Sequence, residues 1–218
     1  EEMVGMERPV ERSCADCAMT SCDGHEARGY PPFCPTADLA PETRSALMGA
    51  YEEPETLRIM QNAALVELEG YCKWTRVQEI MEFARRMSYA HLGIATCVGL
   101  IRESRILAEI LRGNSFTVTG MGCKVGAVPK VSMGIDPACE EIGPNLCNPI
   151  LQAALLAEAG TEMNIVMGLC VGHDSLFYRH SKAPATTLVT KDRVTGHNPA
   201  AALYTANSYY SSLKGKME

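Results

Sequence analysis

The sequence predicts an α/β protein: a three-layer, Rossmann-like, mainly parallel sheet that follows two leading helices and a loop-rich, cysteine-rich N-terminal segment. Three observations predict it. From residue 90 onward, short apolar runs alternate with helical stretches, the pattern of βαβ units. The tripeptide Cys-Val-Gly occurs twice, at Cys97 and Cys170, each time where one of those runs ends. Residues 1–45 show no sustained periodicity and hold Pro9, Pro31, Pro32, Pro35 and Pro41 with four of the ten cysteines. The expected division is a cysteine-rich metal-binding segment over 1–45 and an α/β domain over 46–218.

The elements follow in order. Pro54 opens a helix reaching about Leu68, with Gly70 ending it, and a second helix runs from about Thr75 to Met87 with Val77, Ile80, Met81, Ala84 and Met87 on one face. Cys72 and Trp74 fall between them, and Cys72 is expected to pack. Ala90 to Thr96 reads as the first strand, Leu100 to Leu111 as a helix stopped by Gly113 and Asn114, and Phe116 to Thr119 as the second strand. Asn148 as N-cap and Pro149 at the first helical position start a helix to Ala159. Met163 to Leu169 is the third strand, Ser175 caps a short helix, Ala185 to Thr190 is the fourth strand, and a final helix of about 12 residues follows Asn198-Pro199. Parallel strands share a direction, so Cys97, Cys123 and Cys170 are expected at one edge of the sheet, where open α/β sheets bind ligands.

Composition narrows the function. With 218 residues, 46% of them apolar, the chain can bury a real core without disulfides. No apolar run approaches the roughly 20 residues that span a bilayer, and no segment resembles a signal peptide. A cytoplasmic location is the expectation, although a chain that starts at Glu1 leaves room for a trimmed leader. The formal charge of −6, with both signs well mixed, provides no footprint for nucleic acid. In a reducing compartment ten cysteines act as metal ligands, redox thiols or small apolar side chains.

Cys14, Cys17, Cys22 and Cys34 have the spacing Cys-x2-Cys-x4-Cys-x11-Cys. A Cys-x2-Cys pair turns two thiolates onto one ion, and two more complete a tetrahedron that suits zinc or an iron-sulfur cluster of the 4Fe-4S kind. His25 lies close enough in sequence to replace one thiolate. The passage from Gly120 to Leu146 is too long for a simple connection; it carries Cys123, Cys139, Lys124 and Lys130 and delivers Cys147 to a helix start, where the positive helix end favours thiolate. His173-Asp174 is a candidate acid-base pair, and Lys124 beside Cys123 a candidate anion-binding or thiolate-holding group. Gly120-x-Gly122-x-x-x-Gly126 misses the dinucleotide-binding spacing.

The opening Cys-Ala-Asp-Cys-Ala-Met-Thr-Ser-Cys, the Tyr30-Pro-Pro-Phe-Cys-Pro-Thr36 segment, Gly93-Ile-Ala-Thr-Cys-Val-Gly99 and Gly168-Leu-Cys-Val-Gly-His-Asp174 resemble a prokaryotic family whose members are labelled metal-binding proteins and have no assigned reaction. The resemblance runs along nearly the whole chain and implies metal binding and nothing finer. Two readings stay open. In the first, the protein is an iron-sulfur protein: Cys14, Cys17, Cys22 and Cys34 hold one set of ligands, and Cys97, Cys123, Cys147 and Cys170, with Cys139 a further candidate, line a second site. Redox or sulfur chemistry then acts on a small-molecule ligand or with an electron-transfer partner, served by His173, Asp174 and Lys124. In the second, zinc staples the N-terminal segment and the α/β domain is a binding or sensing module without catalysis. Oligomeric state is not legible in the sequence.

Overall fold

Four short runs, the two central ones buried almost throughout, build one parallel sheet in a computed structural model that describes residues 12–24 and 29–215. The strands are β1 (His91–Thr96), β2 (Thr117–Gly122), β3 (Met163–Met167) and β4 (Ala185–Val189), in the order β2-β1-β3-β4, with every pairing parallel. The chain divides into two units, Glu1–Gln61 and Asn62–Glu218. The first contains α1 (Pro41–Met48) and the start of α2 (Pro54–Gly70), and the anticipated boundary near residue 45 falls inside it. The α/β architecture expected from sequence is present in the second unit.

Helices cover both faces of that sheet, which is what two buried faces require. On one face Leu92 and Ile94 of β1 join Met163, Ile165 and Met167 of β3, and pack against Ile80, Met81 and Ala84 of α3 (Arg76–Arg86) and Leu107 and Leu111 of α4 (Ile101–Gly113). On the other, Ala95 and Val166 meet Ala153 and Leu156 of α5 (Pro149–Glu158) and Phe177 of α6 (His173–His180). Burying each large side chain in these layers contributes about 1.5–3 kcal/mol. Cys97 and Cys123 belong to the second layer, at its C-terminal end.

Local chemistry sets the element ends. Thr75 and Gln78 close a capping box on α3, and Asn148 Oδ1 accepts from Leu151 N at 3.0 Å at the start of α5, as its sequence position predicts. The third strand stops at Met167, two residues before the expected end, because Gly168 takes a φ of +67 and a side chain there would meet Leu100 Cδ1 at 2.0 Å. The last helix, α7 (Ala200–Tyr204), has 5 residues where about 12 were expected from the window. Thr205 Oγ1 donates to Ala201 O at 2.7 Å and Ser208 Oγ to Thr205 O at 3.2 Å, so hydroxyls compete with the helix ladder. Cys72, expected to pack, is exposed in the turn after α2 with φ +55.

Strand order defines a switch point. From β1 the chain crosses to β2 on one side, and from β3 to β4 on the other, so the crevice between their C-terminal ends is where such a sheet takes ligands. Both Cys-Val-Gly tripeptides stand there, Cys97 directly after β1 and Cys170 three residues beyond β3. The two strands are held at close range by Gly93, whose added Cβ would come within 2.0 Å of Asn164 Oδ1, an atom already accepting from Thr161 Oγ1 at 2.9 Å. Gly93→Ala is expected to lower stability by about 1–3 kcal/mol in urea unfolding. Gly113→Ala, where a Cβ meets nothing within 4 Å, should leave it unchanged or higher; equal effects of the two substitutions would contradict the packing described.

Candidate functional site

Two loops at the C-terminal edge of the sheet deliver three sulfurs, one directly after β1 and two at the ends of the passage from β2 to α5. Cys97 follows β1 and is 7% exposed; Cys123 follows β2 and is 3% exposed. Cys147, half-buried, precedes the N-cap of α5. The long passage between them is a tied loop: Leu146 N donates to Val128 O at 2.9 Å, Lys130 N to Pro144 O at 2.9 Å, and Asn148 N to Cys123 O at 2.7 Å. That last bond sets Cys147 beside Cys123.

The three sulfurs stand in a row, with Cys123 hydrogen-bonded to both Cys97 and Cys147. An S–H serves one acceptor at a time, so Cys123 keeps its proton and its pKa is raised, first by Cys147, then by Cys97, then by burial. The end members gain what the centre loses. Cys97 is lowered to about 5, chiefly by Cys123, with help from the Gly99 N–H and the Lys191 charge against the burial that opposes it. Cys147 is lowered to about 3, by Cys123, then by its hydrogen bond with His173, and by Lys124. The His173 imidazole is raised in return.

Main-chain groups complete the cradle. Val98 N donates to Cys123 Sγ at 3.4 Å, so the first Cys-Val-Gly turn supplies amides to two sulfurs, its own and that of β2. A Cβ on Gly99 would sit 3.6 Å from Lys191 Nζ and 3.7 Å from Cys97 Sγ, which locates that cation beside that thiolate. In the second Cys-Val-Gly, Cys170 Sγ accepts from Arg193 Nη2 at 3.3 Å, and Arg193 also feels the charges of Cys97 and Cys147. Gln152 of α5, fully buried, ties the strand ends together: its Nε2 donates to Thr96 O at 3.1 Å and Met121 O at 2.7 Å. It links the ends of β1 and β2 to the helix that begins beside Cys147.

Sequence candidates fall into three groups. Cys97, Cys123, Cys147, His173 and Lys124 come together, and Cys170 reaches the same edge through Arg193. Asp174 Oδ1 accepts from Ser175 N at 2.8 Å, and its charge adds to the raising of the His173 imidazole without a hydrogen bond between the two side chains. Cys139 lies exposed in a 3-10 stretch, Pro137–Ile142, where its carbonyl accepts from the buried Lys130 Nζ. Of the N-terminal four, Cys14 and Cys22 are exposed, Cys17 is half-buried and Cys34 buried. Cys17 N donates to Cys14 O at 3.2 Å, and the Ala37 N–H lowers the Cys34 thiol. His25 lies outside the described residues. Among the described residues, no group of three or more His, Cys, Asp or Glu side chains is disposed as it stands to hold a metal ion.

Lys191, Arg193 and Gln152 went unread in the sequence. The first two follow the fourth strand directly, in Thr190-Lys191-Asp192-Arg193, and the strand-end rule that drew attention to the cysteines applies equally to them. Gln152 is the lone amide in the apolar run Pro149-Ile-Leu-Gln-Ala-Ala-Leu-Leu156.

Comparison with known proteins adds a family and no activity. Residues 34–188 match the family described as "Protein of unknown function (DUF1847)". That stretch includes Cys34 and all the strand-end cysteines and leaves out Cys14, Cys17 and Cys22. An uncharacterized protein of Methanocaldococcus jannaschii, MJ0455, is 41% identical over 179 residues, 82% of this chain and 92% of the relative. Among the described residues no helix is long and apolar enough to cross a membrane.

Two outcomes are expected. In metal-free, reduced protein, iodoacetamide should label Cys147 at a nearly constant rate from about pH 8 to about pH 5, because its thiolate persists to about 3. A tenfold loss of rate per pH unit over that range would identify an ordinary thiol. The lowered pKa values of Cys97 and Cys147 stabilise the fold fully above the ordinary thiol value of 9.0, and that contribution falls away as pH drops toward about 5 and about 3; the raised pKa of Cys123 opposes folding only above 9.0. Gln152→Leu removes the donor to a buried and a half-buried carbonyl, offset in part by loss of the buried Gln152 Oε1 that has no hydrogen-bond partner, and should cost about 1–3 kcal/mol in urea unfolding. Unchanged stability would show that the strand ends hold together without it.

Proposed function

Since the chain belongs to the DUF1847 family, whose description carries no activity, we propose from its side chains that it is a metal-binding protein with a thiolate centre at the C-terminal edge of the sheet. Cys97, Cys123 and Cys147 are the ligands, and Cys170 is a further sulfur at the switch point. The observation that carries this reading is the row of three sulfurs, one from the loop after β1 and two from the loop between β2 and α5, joined by hydrogen bonds. Thiolates repel one another, and here a proton on Cys123 relieves that repulsion. A thiophilic metal does the same with more charge, displacing protons as it binds.

The chemistry of the donors, rather than their present arrangement, supports an iron-sulfur cluster. The donor set is all sulfur, with one imidazole at its end, on which Asp174 acts through its charge. Lys124, Lys191 and Arg193 stand around it and would offset the negative charge of a thiolate-rich centre. A closed structural zinc site takes four ligands, whereas three shared thiols with Cys170 engaged by Arg193 leave a place for a small ligand. Such a cluster, when bound, supplies redox or sulfur chemistry. The chain's own groups hold the sulfurs, keep His173 near Cys147 for proton exchange, and surround the site with cations.

A second thiolate set at Cys14, Cys17, Cys22 and Cys34 remains part of the proposal, as a cluster site or a zinc staple. The 3-10 turn at Cys14–Asp16, closed by the bond from Cys17 N to Cys14 O, supports it, because a Cys-x2-Cys pair needs such a turn to converge. Protein purified without oxygen should be brown and contain iron and acid-labile sulfide. Cys123→Ser should remove the share held at the sheet edge, and Cys17→Ser the share held by the N-terminal segment. Colourless protein with zinc that Cys123→Ser leaves intact would move the metal away from the sheet edge and sink the principal reading.

A further inference from the structure

Glycine inside a strand packs nothing and costs backbone entropy, so its presence there needs a local reason. Edge strand β2 has two, Gly120 and Gly122, paired in register with Ile94 and Thr96, which puts both on the face that α4 covers. The usual reasons do not apply. Neither glycine has a positive φ, and the pairing of β1 with β2 continues from His91–Thr117 to Thr96–Gly122 without a bulge. A Cβ on Gly120 would meet nothing within 4 Å, and one on Gly122 only Val98 Cγ1 at 3.7 Å. Crowding therefore does not demand them either. What the missing side chains leave is a cleft of about 260 Å³ between α4 and the two strands.

Its walls select an occupant. Ile94, Ile101, Ala108 and Val118 are apolar contacts, while Arg105 and Glu109 enter from the α4 wall one turn apart. Neither of these charges is in an ion pair among the described residues, whereas Arg112, a third wall residue, is committed to Val118 O at 3.2 Å. A guanidinium free of partners beside an apolar floor matches the planar fork of a carboxylate. Glu109 disfavours a second negative charge. The volume lies just below the ~300–1,000 Å³ of sites for drug-sized ligands, so the occupant is compact.

We propose that the cleft between α4 and the glycine half of β2 binds a small monocarboxylate, with its apolar body on Gly120 and Gly122 and its carboxylate on Arg105. The site is independent of the thiol centre, since Cys97 and Cys123 pack in the layer formed with α5 and α6.

Benzoate titrated into the full chain, followed by amide NMR, tests it, with benzylamine as the cation of matching shape. Benzoate is expected to shift the amides of Gly120, Gly122 and Arg105 saturably, and benzylamine to leave them unmoved. Gly120→Val fills open space in an edge strand, so it should keep the parent's thermal midpoint and lose the benzoate response. Arg105→Ala, on an exposed helix face, should weaken the response by about tenfold. Absence of a saturable response, or equal affinity in folded Gly120→Val, would overturn the proposal. Conversion of a dimer to a monomer by Gly120→Val would also overturn it, by showing that a second copy fills the cleft. Neither variant alters the thiols, so a failure here leaves the metal reading untouched.

Discussion

The bond from Asn148 N–H to the Cys123 carbonyl, 2.7 Å long, is the constraint on which the site depends. It closes the long loop after β2 and starts α5 at the sheet edge rather than at a distance from it. Everything else at the edge follows from where α5 begins. Cys147 sits next to Cys123, and Gln152, one turn further on, donates to the carbonyls at the ends of β1 and β2. Were the loop to open there, the third sulfur and the amide clamp would leave together.

Packing and chemistry share the same atoms. Cys97 and Cys123 lie in the apolar layer with Ala95, Leu156 and Phe177, as small buried side chains do, yet their sulfurs are hydrogen-bonded to each other. Burial alone would keep all three thiols protonated. The outcome here is different because backbone amides of the Cys-Val-Gly turn, two lysines and a histidine face the end members, and only the central sulfur has nothing but neighbouring sulfurs and the Val98 amide. On the metal-binding proposal, a cation shared by the three sulfurs would take the place of the proton on Cys123.

Much of this was legible in the residues. The βα alternation after residue 90 identified the sheet, and the strand-end position of Cys97, Cys123 and Cys170 identified the edge, because both rest on local periodicity. Asn148-Pro149 announced α5 for a similarly local reason. Less accessible was anything set by long-range return of the chain. Cys139 was a further candidate beside Cys147, and the tie at Asn148 brings only Cys147 next to Cys123. Asp174, the candidate partner of His173, acts on it through its charge alone, with its Oδ1 accepting from Ser175 N. Lys191 and Arg193 belong to a fourth loop whose approach depends on strand order, which the sequence does not state. Even α1, with Pro41 at its first position, was hidden by its weak apolar patterning.

The doubled Cys-Val-Gly thus serves two roles: its first copy supplies amides and a sulfur to the row, while the second holds Cys170 against Arg193 at the other side of the switch point. The central claim is that the three sulfurs of the sheet edge form one metal site without help from the N-terminal segment. It is tested most directly by cadmium titration of metal-free, reduced protein with Cys14, Cys17, Cys22 and Cys34 all changed to serine, following sulfur-to-metal absorption and proton release together. The account predicts saturation at one equivalent, with protons released in step. Protein that stays folded yet shows neither absorption nor proton release would contradict it.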